Sequence, residues 1–511
     1  MDADVIIVGA GPTGLMLAIE LRLAGVRTLV LERHPGLRDT PKAGGLSGQI
    51  LDLLRYRGLL ERFEAVSTDP VPALRLPFGG MHVDFTRLAV APMQLLPFPQ
   101  PRLERLLDEI ARELGAEVRR GHEVVGLSQD DAAVTADVRG PDGEQRLTAR
   151  YLVGCDGASS RVRALAGLPF PGVTYPEVQR LAQFTVPEAV TVLEGGDIEV
   201  AGVGRIGFGF TATERGQFAL GSTNPGLMGV FTSEEETADY DDDEPMTATE
   251  VGDSVRRVLG VELPLGEPVR LTRFTFHARQ VERYRDGRIL VAGDAAHLFP
   301  APGVALNVGM LDSVNLGWKL AATIGGWAPD GLLDTYDDER RLAAERTMLH
   351  ARAQVALRRG HDEAADALRD LFQDLLVDEQ PLRRVGAMIA GTDVRSPSPG
   401  PGDHVLTGAL APDLTLLRAD QDTTTSVAEL MHAARPVLLD LADRSDLRAA
   451  AAGWDQRVEI RTAATGDRPA DALLIRPDAR VAWAAAVDEP ADSAAPALRA
   501  ALARWFGAAA S

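Results

Sequence analysis

The sequence predicts an α/β fold that begins with a Rossmann-like βαβ unit. It also predicts a second, β-sheet domain and a separate C-terminal domain. Three observations support this. An apolar run at 5–8 precedes glycines at G-x-G-x-x-G spacing and a helical pattern. Two later apolar runs, at 151–153 and 289–292, end beside an aspartate and a glycine. Residues 205–222 contain period-2 stretches, and a Pro/Gly/Ser-rich linker occupies 396–403.

Length and charge limit the class of protein. A chain of 511 residues predicts two or three domains. The net charge of −21 argues against nucleic acid and anionic lipid as partners, since both require clustered Lys and Arg. No apolar run approaches a membrane span, and the chain opens on a strand rather than a signal peptide. We therefore expect a cytoplasmic protein, monomeric or homodimeric, with a small-molecule substrate.

Cysteine usage excludes several kinds of chemistry. Cys155 is the only cysteine in the sequence. Disulfides within the chain, structural zinc and dithiol redox chemistry are thereby excluded. The acidic run at 239–244 is interpreted as a solvated loop, so no metal site is expected.

The segment 4–33 predicts a dinucleotide site. Gly9 permits a tight turn, Gly11 lets the backbone approach a pyrophosphate, and Gly14 lets the helix pack on the strand. Pro12 suits the first turn of a helix over about 12–24, whose positive end would face the diphosphate.

A second strand, predicted at 28–31, ends in an acidic residue. Glu32 stands where a carboxylate can accept hydrogen bonds from ribose hydroxyls. This motif does not separate FAD from NAD, and a structural βαβ unit without a ligand is the alternative.

Two further strands predict ligand contacts at the same sheet edge. The strand at 289–292 ends at Gly293 and Asp294, and the strand at 151–153 is followed by Asp156. Open α/β sheets bind ligands beyond the carboxyl ends of their strands. Arg161 and Arg163, which follow Asp156, are equally well explained as surface charges.

Taken in order, GAGPTG (9–14), CDGASSRVR (155–163) and AGDAAH (292–297) resemble the class A flavoprotein monooxygenases of the para-hydroxybenzoate hydroxylase fold. The resemblance continues through LNVGMLDSVNLGWKLA, LLDTYDDERR and AGTDVRSP. It is closest to the actinobacterial aromatic polyketide hydroxylases, which carry a thioredoxin-like C-terminal domain. It implies non-covalent FAD and reduction by NADPH or NADH.

The resemblance also implies roles for single residues. Glu32 would bind the adenosine ribose and Asp294 the ribityl chain, while Gln100 and Asp156 would lie near the cofactor. A helix starting near Asn307 would aim its N-terminus at the flavin, with a core face of Leu311, Val314, Trp318 and Ala321. The full cofactor set comprises Gly9, Gly11, Pro12, Thr13, Gly14, Glu32, Arg33, Gln49, Gln100, Asp156, Gly293, Asp294, Ala305, Leu306 and Asn307.

The expected domains are interleaved in the chain. The FAD-binding domain is assigned to 1–72, 98–176 and 278–395, the substrate domain to 73–97 and 177–277, and the linker with the thioredoxin-like domain to 396–511. Because the last part has no cysteine, we expect it to serve packing or dimer contacts, as an appendage without catalytic atoms.

The sequence departs from the family pattern at two places. Between His297 and Asn307 it is about one residue shorter, and Pro302 and Ala305 stand where glycines are usual. Proline fixes φ and lacks an N–H, and alanine adds a β-carbon. Gln49 stands where the family usually carries an arginine near the FAD diphosphate.

Two reactions stay open at this point. One is oxygenation of a polyketide-type aromatic or ketone intermediate in antibiotic biosynthesis. The other is a non-redox cyclisation, such as [4+2] decalin formation, by a protein that retains FAD; a pure FAD-binding or interaction protein is a third possibility. His277 is a weak candidate for catalysis, and Arg279 would position substrate or bridge the domains. Phe208, Phe210 and Phe276 would suit a flat substrate, although core packing explains them equally well.

Overall fold

A computed structural model describes residues 1–37, 43–67, 69–221, 226–236, 245–359, 362–418 and 424–510. The acidic run at 239–244 lies outside these described residues. Within them, no helix is both long and apolar enough to cross a membrane.

The elements of the first part of the chain alternate between strands and helices. In chain order they are β1 Ala3–Val8, α1 Pro12–Leu23, β2 Thr28–Glu32, β3 Gly45–Ser47, α2 Gln49–Tyr56, α3 Leu60–Glu64, β4 Val71–Pro72, β5 Arg75–Phe78, β6 Met81–Asp84, β7 Gln94–Pro97, α4 Gln100–Glu113, β8 Glu117–Arg120, β9 Glu123–Gln129, β10 Val134–Gly140, β11 Gly143–Gly154 and α5 Arg161–Leu165.

A strand-rich middle part and a helical part follow. They comprise β12 Gly172–Thr185, β13 Val190–Val192, β14 Ile198–Val200, β15 Gly204–Ile206, β16 Gly209–Thr213, β17 Gly216–Gly221, β18 Leu227–Glu235, α6 Ala248–Leu259, β19 Pro268–Gln280, β20 Arg285–Asp286, β21 Ile289–Val291, a 3-10 turn Gly293–Ala295, β22 His297–Leu298, α7 Ala305–Ile324, α8 Thr335–Arg359, α9 Glu363–Leu375 and α10 Glu379–Ala390.

The C-terminal part is a smaller α/β unit. Its elements are β23 Thr415–Arg418, β24 Thr424–Ser426, α11 Val427–Leu430, β25 Val437–Asp440, α12 Ser445–Ala450, β26 Glu459–Ala464, β27 Ala472–Ile475, β28 Val481–Ala485 and α13 Ala491–Phe506.

The first sheet is Rossmann-like and has the order β20-β21-β11-β1-β2-β8, with β10 and β9 continuing antiparallel from β11. β1 is parallel to both β2 and β11, and β11 is parallel to β21. Val8 lies opposite Leu31 and Gly154, and Gly154 lies opposite Val291. The carboxyl ends of these four strands therefore meet at one edge, where ligands bind in open α/β sheets.

The second sheet has the order β16-β17-β18-β12-β19-β22. One face packs on α6 through a closed apolar core that includes Phe184, Phe218 and Val255. The segment 73–97 does not join this sheet: β5 and β6 form their own hairpin, and β7 pairs with β3 and β4. The hairpin packs on α8 and α10 through Phe78 and Leu382.

Helix α7 is buried on more than one side. The predicted core face is present, with Val314 and Trp318 buried and Leu311 and Ala321 half-buried. Asp312 and other polar residues outside that face are also fully buried. The single apolar stripe was therefore an incomplete prediction, because α1, α8 and the C-terminal domain all pack around α7.

The C-terminal sheet has the order β24-β23-β26-β25-β27-β28, in which β25 and β26 are parallel and β27 is antiparallel to β25. Together with its flanking helices this is a thioredoxin-like arrangement. The domain packs against the first part of the chain. Trp318 of α7 packs against Trp505 and Phe506 of α13, and Arg57 donates to the carbonyl oxygen of Pro477 at 2.7 Å.

Candidate active site

The glycine-rich turn after β1 has space for a ligand at one glycine. Gly9 has a φ of +106°, and a Cβ there would overlap the carbonyl oxygen of Cys155. A Cβ on Gly14 would overlap the carbonyl oxygen of Gly9, whereas a Cβ on Gly11 would meet nothing within 4 Å. Helix α1 begins at Pro12 with no side-chain cap. The overlaps at Gly9 and Gly14 explain why glycine packs at these two positions. The open space at Gly11 leaves room for a dinucleotide to approach the backbone closely.

Glu32 ends β2 and holds the neighbouring backbone. Its Oε2 accepts from the amide of Ala10 at 2.8 Å, and its Oε1 accepts from the amide of His34 at 2.9 Å. The carboxylate therefore lies against the glycine-rich turn, beside the predicted ribose position. Arg33, the next residue of the predicted set, is exposed.

Asp156 uses its carboxylate within its own loop. It accepts from the Ser160 hydroxyl at 2.5 Å and from the amides of Arg161 and Val162, so it stabilises the start of α5. Burial raises the pKa of this carboxyl, and the three hydrogen bonds oppose the rise. Arg163 is not an ordinary surface charge, since it donates to the carbonyl oxygens of Ala158 and Ala295.

The turn after β21 is held by Asp312 of α7, a residue that the sequence analysis missed. Asp312 accepts from the Gly293 amide at 2.9 Å, from His297 Nε2 at 2.8 Å and from Arg340 Nε at 2.6 Å. Burial alone would raise the pKa of Asp312, but Arg340 and His297 lower it below its ordinary value. Asp294 lies half-buried in the same turn. The available signal was that Asp312 is the one acidic residue of α7.

Helices α7 and α1 both pack against this turn. A Cβ on Gly309 would lie 2.6 Å from Thr13 Oγ1 and 3.1 Å from the Cα of Gly293. Ser313 donates to the carbonyl oxygen of Thr13 at 2.7 Å. The first and third sequence motifs therefore meet at the same point of α7.

The segment from Phe299 leads into α7 close to the predicted position. The helix begins at Ala305, two residues before Asn307, so Ala305, Leu306 and Asn307 form its first turn. Its N-cap, Val304, supplies no side-chain hydrogen bond. Pro302 is exposed, so its missing N–H leaves no buried partner unsatisfied.

Three polar side chains fix the loops that face these motifs. Asn307 accepts from the Ser47 amide and donates to the Ser47 hydroxyl, both at 3.0 Å. Gln100 accepts from the amide of Ala43 at 3.0 Å. Gln49 is 5% exposed and accepts from Arg480 Nη2 at 2.7 Å. The last contact comes from the C-terminal domain and could not be found from local sequence.

The second sheet presents a partly open face beside α8. Phe231 and Phe274 are half-buried on this face, and Phe210, on the edge strand, is 39% exposed. Phe276 is buried under the Arg358 guanidinium, and Phe208, just before β16, is exposed. Phe231 and Phe274 therefore form a wall of the open face, whereas Phe276 lies in the core and Phe208 at the surface.

His277 of β19 lies between two hydroxyl groups, one on β12 and one on β19. Its Nδ1 is 3.0 Å from Thr174 Oγ1, and its Nε2 is 3.1 Å from Thr275 Oγ1. Arg279 donates to the Phe170 carbonyl oxygen at 3.3 Å and to the Thr174 hydroxyl at 3.1 Å. The contacts of His277 thus stay within the second sheet, whereas Arg279 also reaches Phe170, just before β12. Among the described residues, no cluster of His, Cys, Asp and Glu has the arrangement of a metal site.

Two family models match this chain. One, described as an FAD binding domain, matches residues 2–351. The other, described as the C-terminal domain of aromatic-ring hydroxylases, matches residues 404–509.

Individual proteins resemble the chain over its whole length. The 12-dehydrotetracycline 5-monooxygenase/anhydrotetracycline 6-monooxygenase of Streptomyces rimosus is 40% identical over 518 residues, 99% of each chain. The dialkyldecalin synthase of Streptomyces rugosporus is 38% identical over 519 residues, 100% of each chain. The solved structure of an anhydrotetracycline hydroxylase from Streptomyces rimosus superposes with a TM-score of 0.86, at 39% identity and 100% coverage of both chains.

Proposed function

The chain belongs to the class A FAD-dependent monooxygenases, and we propose that it oxygenates a polyketide-type aromatic or ketone intermediate in natural-product biosynthesis, with NADPH or NADH as reductant. The binding of FAD is supported by the meeting of the Gly9–Gly14 turn, Glu32 and the Gly293–Asp294 turn at one sheet edge. Oxygenation is supported by the 40% identity, over 99% of each chain, to the 12-dehydrotetracycline 5-monooxygenase/anhydrotetracycline 6-monooxygenase. A cytoplasmic location and a monomeric or homodimeric state are part of the same proposal.

The described residues fit FAD at this edge. The open space at Gly11 and the uncapped start of α1 suit the diphosphate, and Glu32 suits the adenosine ribose. Asp294 suits the ribityl chain, and the uncapped start of α7 can present amide groups to the flavin ring. When bound and reduced, FAD supplies the activation of O₂ and the transfer of one oxygen atom.

The protein positions the substrate and limits water. The half-buried wall of Phe231 and Phe274 suits a flat, mainly apolar substrate. Phe299 and Met348 belong to a buried apolar cluster next to the start of α7, which excludes water from that side. His277 stays a candidate for proton transfer at the domain junction, since its ring is already oriented by two hydroxyls.

The second candidate function is a cyclisation in which FAD is retained without redox turnover. Pro302 and Ala305 favour it, because they replace glycines expected next to the flavin, and Gln49 favours it, because it replaces an arginine expected near the FAD diphosphate. The resemblance to a dialkyldecalin synthase over the whole chain also supports it.

One experiment separates the two functions. The purified yellow protein is incubated in air with NADPH or NADH and candidate polyketide substrates. A monooxygenase should oxidise the nucleotide faster with substrate and give a product heavier by one oxygen atom. A cyclase should give a product of unchanged mass without nucleotide or O₂. Nucleotide oxidation that releases only H₂O₂ with every substrate would contradict both.

The loop before α7 offers a second test. Replacing Pro302 and Ala305 by glycine, together with one inserted residue, restores the family-like loop. We expect faster NADPH-driven H₂O₂ formation, because the glycines open space next to the flavin that the present loop restricts. If the unmodified protein already couples NADPH oxidation tightly to oxygenation, the loop departure has no functional effect.

A further inference from the structure

The turn between β27 and β28 carries three charged residues into the protein interior. Arg476 is fully buried, Asp478 is 3% exposed and Arg480 is 7% exposed. A hairpin turn normally lies in solvent. This turn is buried because it docks against the FAD-binding domain, where Arg476 pairs with Glu339 of α8 at 2.6 Å.

Arg480 differs from its neighbour in its partners. Arg476 is ion-paired with Glu339 and with Asp478. Arg480 forms no ion pair within the described part of the chain; it donates to the carbonyl oxygens of Val394 and Gly408 and to Gln49 Oε1. Burial lowers the pKa of Arg480 to about 10. A buried cation without a carboxylate partner stabilises a fold poorly but provides positive potential.

The bond to Arg480 determines how the Gln49 amide is oriented. A guanidinium can only donate hydrogen bonds, so the oxygen of the amide must face Arg480. The Nε2 group, a double donor, therefore faces away from Arg480. Gln49 is the first residue of α2 and follows Gly48, whose φ is +67°.

Contacts connect Gln49 with the cofactor motifs. Ser47, two residues earlier, is held by both atoms of the Asn307 amide in the first turn of α7. Gly309, in the same turn of the helix, packs against Thr13 and Gly293. The segment 47–49 thus lies between the cofactor-binding turns on one side and the C-terminal domain on the other.

We propose that Arg480 is a positioning residue of the FAD site, supplied by the C-terminal domain. It orients the Gln49 amide and places a positive charge beside the segment 47–49. The FAD phosphates are the anionic group that such a donor and charge would favour. This role is the same whether the bound flavin turns over or is only retained.

The test measures FAD affinity and protein stability separately. Apoprotein of the full chain is titrated with FAD, and the urea midpoint of each apoprotein is recorded. Gln49→Glu keeps a partner for Arg480 and adds an ion pair, so the urea midpoint should not fall. The FAD dissociation constant should nevertheless rise about tenfold, because the donor is lost and the positive charge is neutralised. Arg480→Gln should raise it similarly, and Arg480→Lys should restore part of the affinity.

A matched control distinguishes positioning from general damage to the C-terminal domain. Arg448→Gln removes a partner of the buried Asp440 within that domain and does not touch α2. It should lower the urea midpoint and leave FAD affinity within about twofold of wild type, since no contact to the cofactor segment changes. Wild-type FAD affinity in Gln49→Glu and Arg480→Gln would overturn the proposal. So would an equal loss of affinity in Arg448→Gln.

Discussion

Asp312 and Asp294 act on the same turn from opposite positions. Asp312 binds the Gly293 amide from inside α7, while Asp294 is half-buried on the turn itself. Local sequence pointed to Asp294 because it follows a buried strand directly. The signal for Asp312 was weaker, because its three partners lie 15 to 28 residues away and meet it only in the fold.

At the level of single residues, Asp294 gives the first prediction. Asp294→Ala should lower FAD occupancy, because a charge-assisted hydrogen bond is worth about 1.5–3 kcal/mol. The ratio of flavin to protein absorbance after purification measures this. Asp334→Ala, which removes an exposed carboxylate, is the control and should retain full occupancy. An Asp294→Ala protein as yellow as wild type would contradict the assignment.

His350 gives a prediction about pH. It is buried on α8, and burial lowers its pKa from 6.5 to about 4. The unfolded chain takes up a proton below pH 6.5, whereas the folded chain does so only near pH 4. Stability is therefore complete above pH 6.5 and is lost as pH falls toward 4, by about 2 kcal/mol between pH 7 and pH 5.

Urea unfolding at these two pH values tests this expectation. His350→Gln should lose less stability than wild type on going from pH 7 to pH 5. Exposed His432→Gln should keep the wild-type dependence. An identical pH dependence in all three proteins would show that His350 does not carry the effect.

At the level of elements, the fit between α7 and the cofactor turns depends on Gly309. Gly309→Ala should destabilise the protein by about 1–3 kcal/mol through overpacking against Thr13 and Gly293. It should also weaken FAD binding. Gly252→Ala on α6 is the matched control: its Cβ would meet Leu265 at an ordinary 3.8 Å, so helix propensity should stabilise it by up to about 1 kcal/mol. Unchanged FAD affinity in Gly309→Ala would show that α7 can shift freely.

The elements nearest the motifs were predictable because their signals are local. The apolar run at 5–8, the glycines and Pro12 predict β1 and α1, and the structure has them at Ala3–Val8 and Pro12–Leu23. Helix α7 begins at Ala305, close to the predicted start near Asn307. The burial of α7 was underestimated, because a single apolar stripe indicates one packing partner, whereas α7 packs against several elements.

For the whole molecule, the contacts by which the C-terminal domain docks could not be predicted from composition. The absence of cysteine from this domain bears on dithiol chemistry and says nothing about interfaces. The contacts that hold the domain join residues far apart in the chain, such as Arg476 with Glu339 and Tyr56 with Ala411. No pattern within a single segment predicts such pairs.

The buried ion pair gives a prediction at this scale. Arg476→Leu leaves Glu339 buried with one fewer cationic partner, which should cost about 3–5 kcal/mol. Calorimetry should show a lower Tm for the unit that contains both domains. Arg461→Leu, an exposed arginine of the same domain, should change stability by less than about 0.5 kcal/mol. Equal Tm values for the two variants would mean that the interface contributes nothing.

The position of residues 476–480 also determines when the site can be completed during synthesis. Domains generally fold as units, N-terminal first, as the chain leaves the ribosome. Strand β1 and helix α1 emerge first, and the sheet can close once β21 has followed. Helix α2, however, keeps Tyr56 and Gln49 without their partners until residues 411 and 480 have been made. Arg57, which follows the helix and already pairs with Glu20, gains its contact with Pro477 just before residue 480. A nascent chain stalled before residue 477 would therefore carry all three cofactor motifs, while the segment 47–49 would still lack its contact with the end of the C-terminal domain.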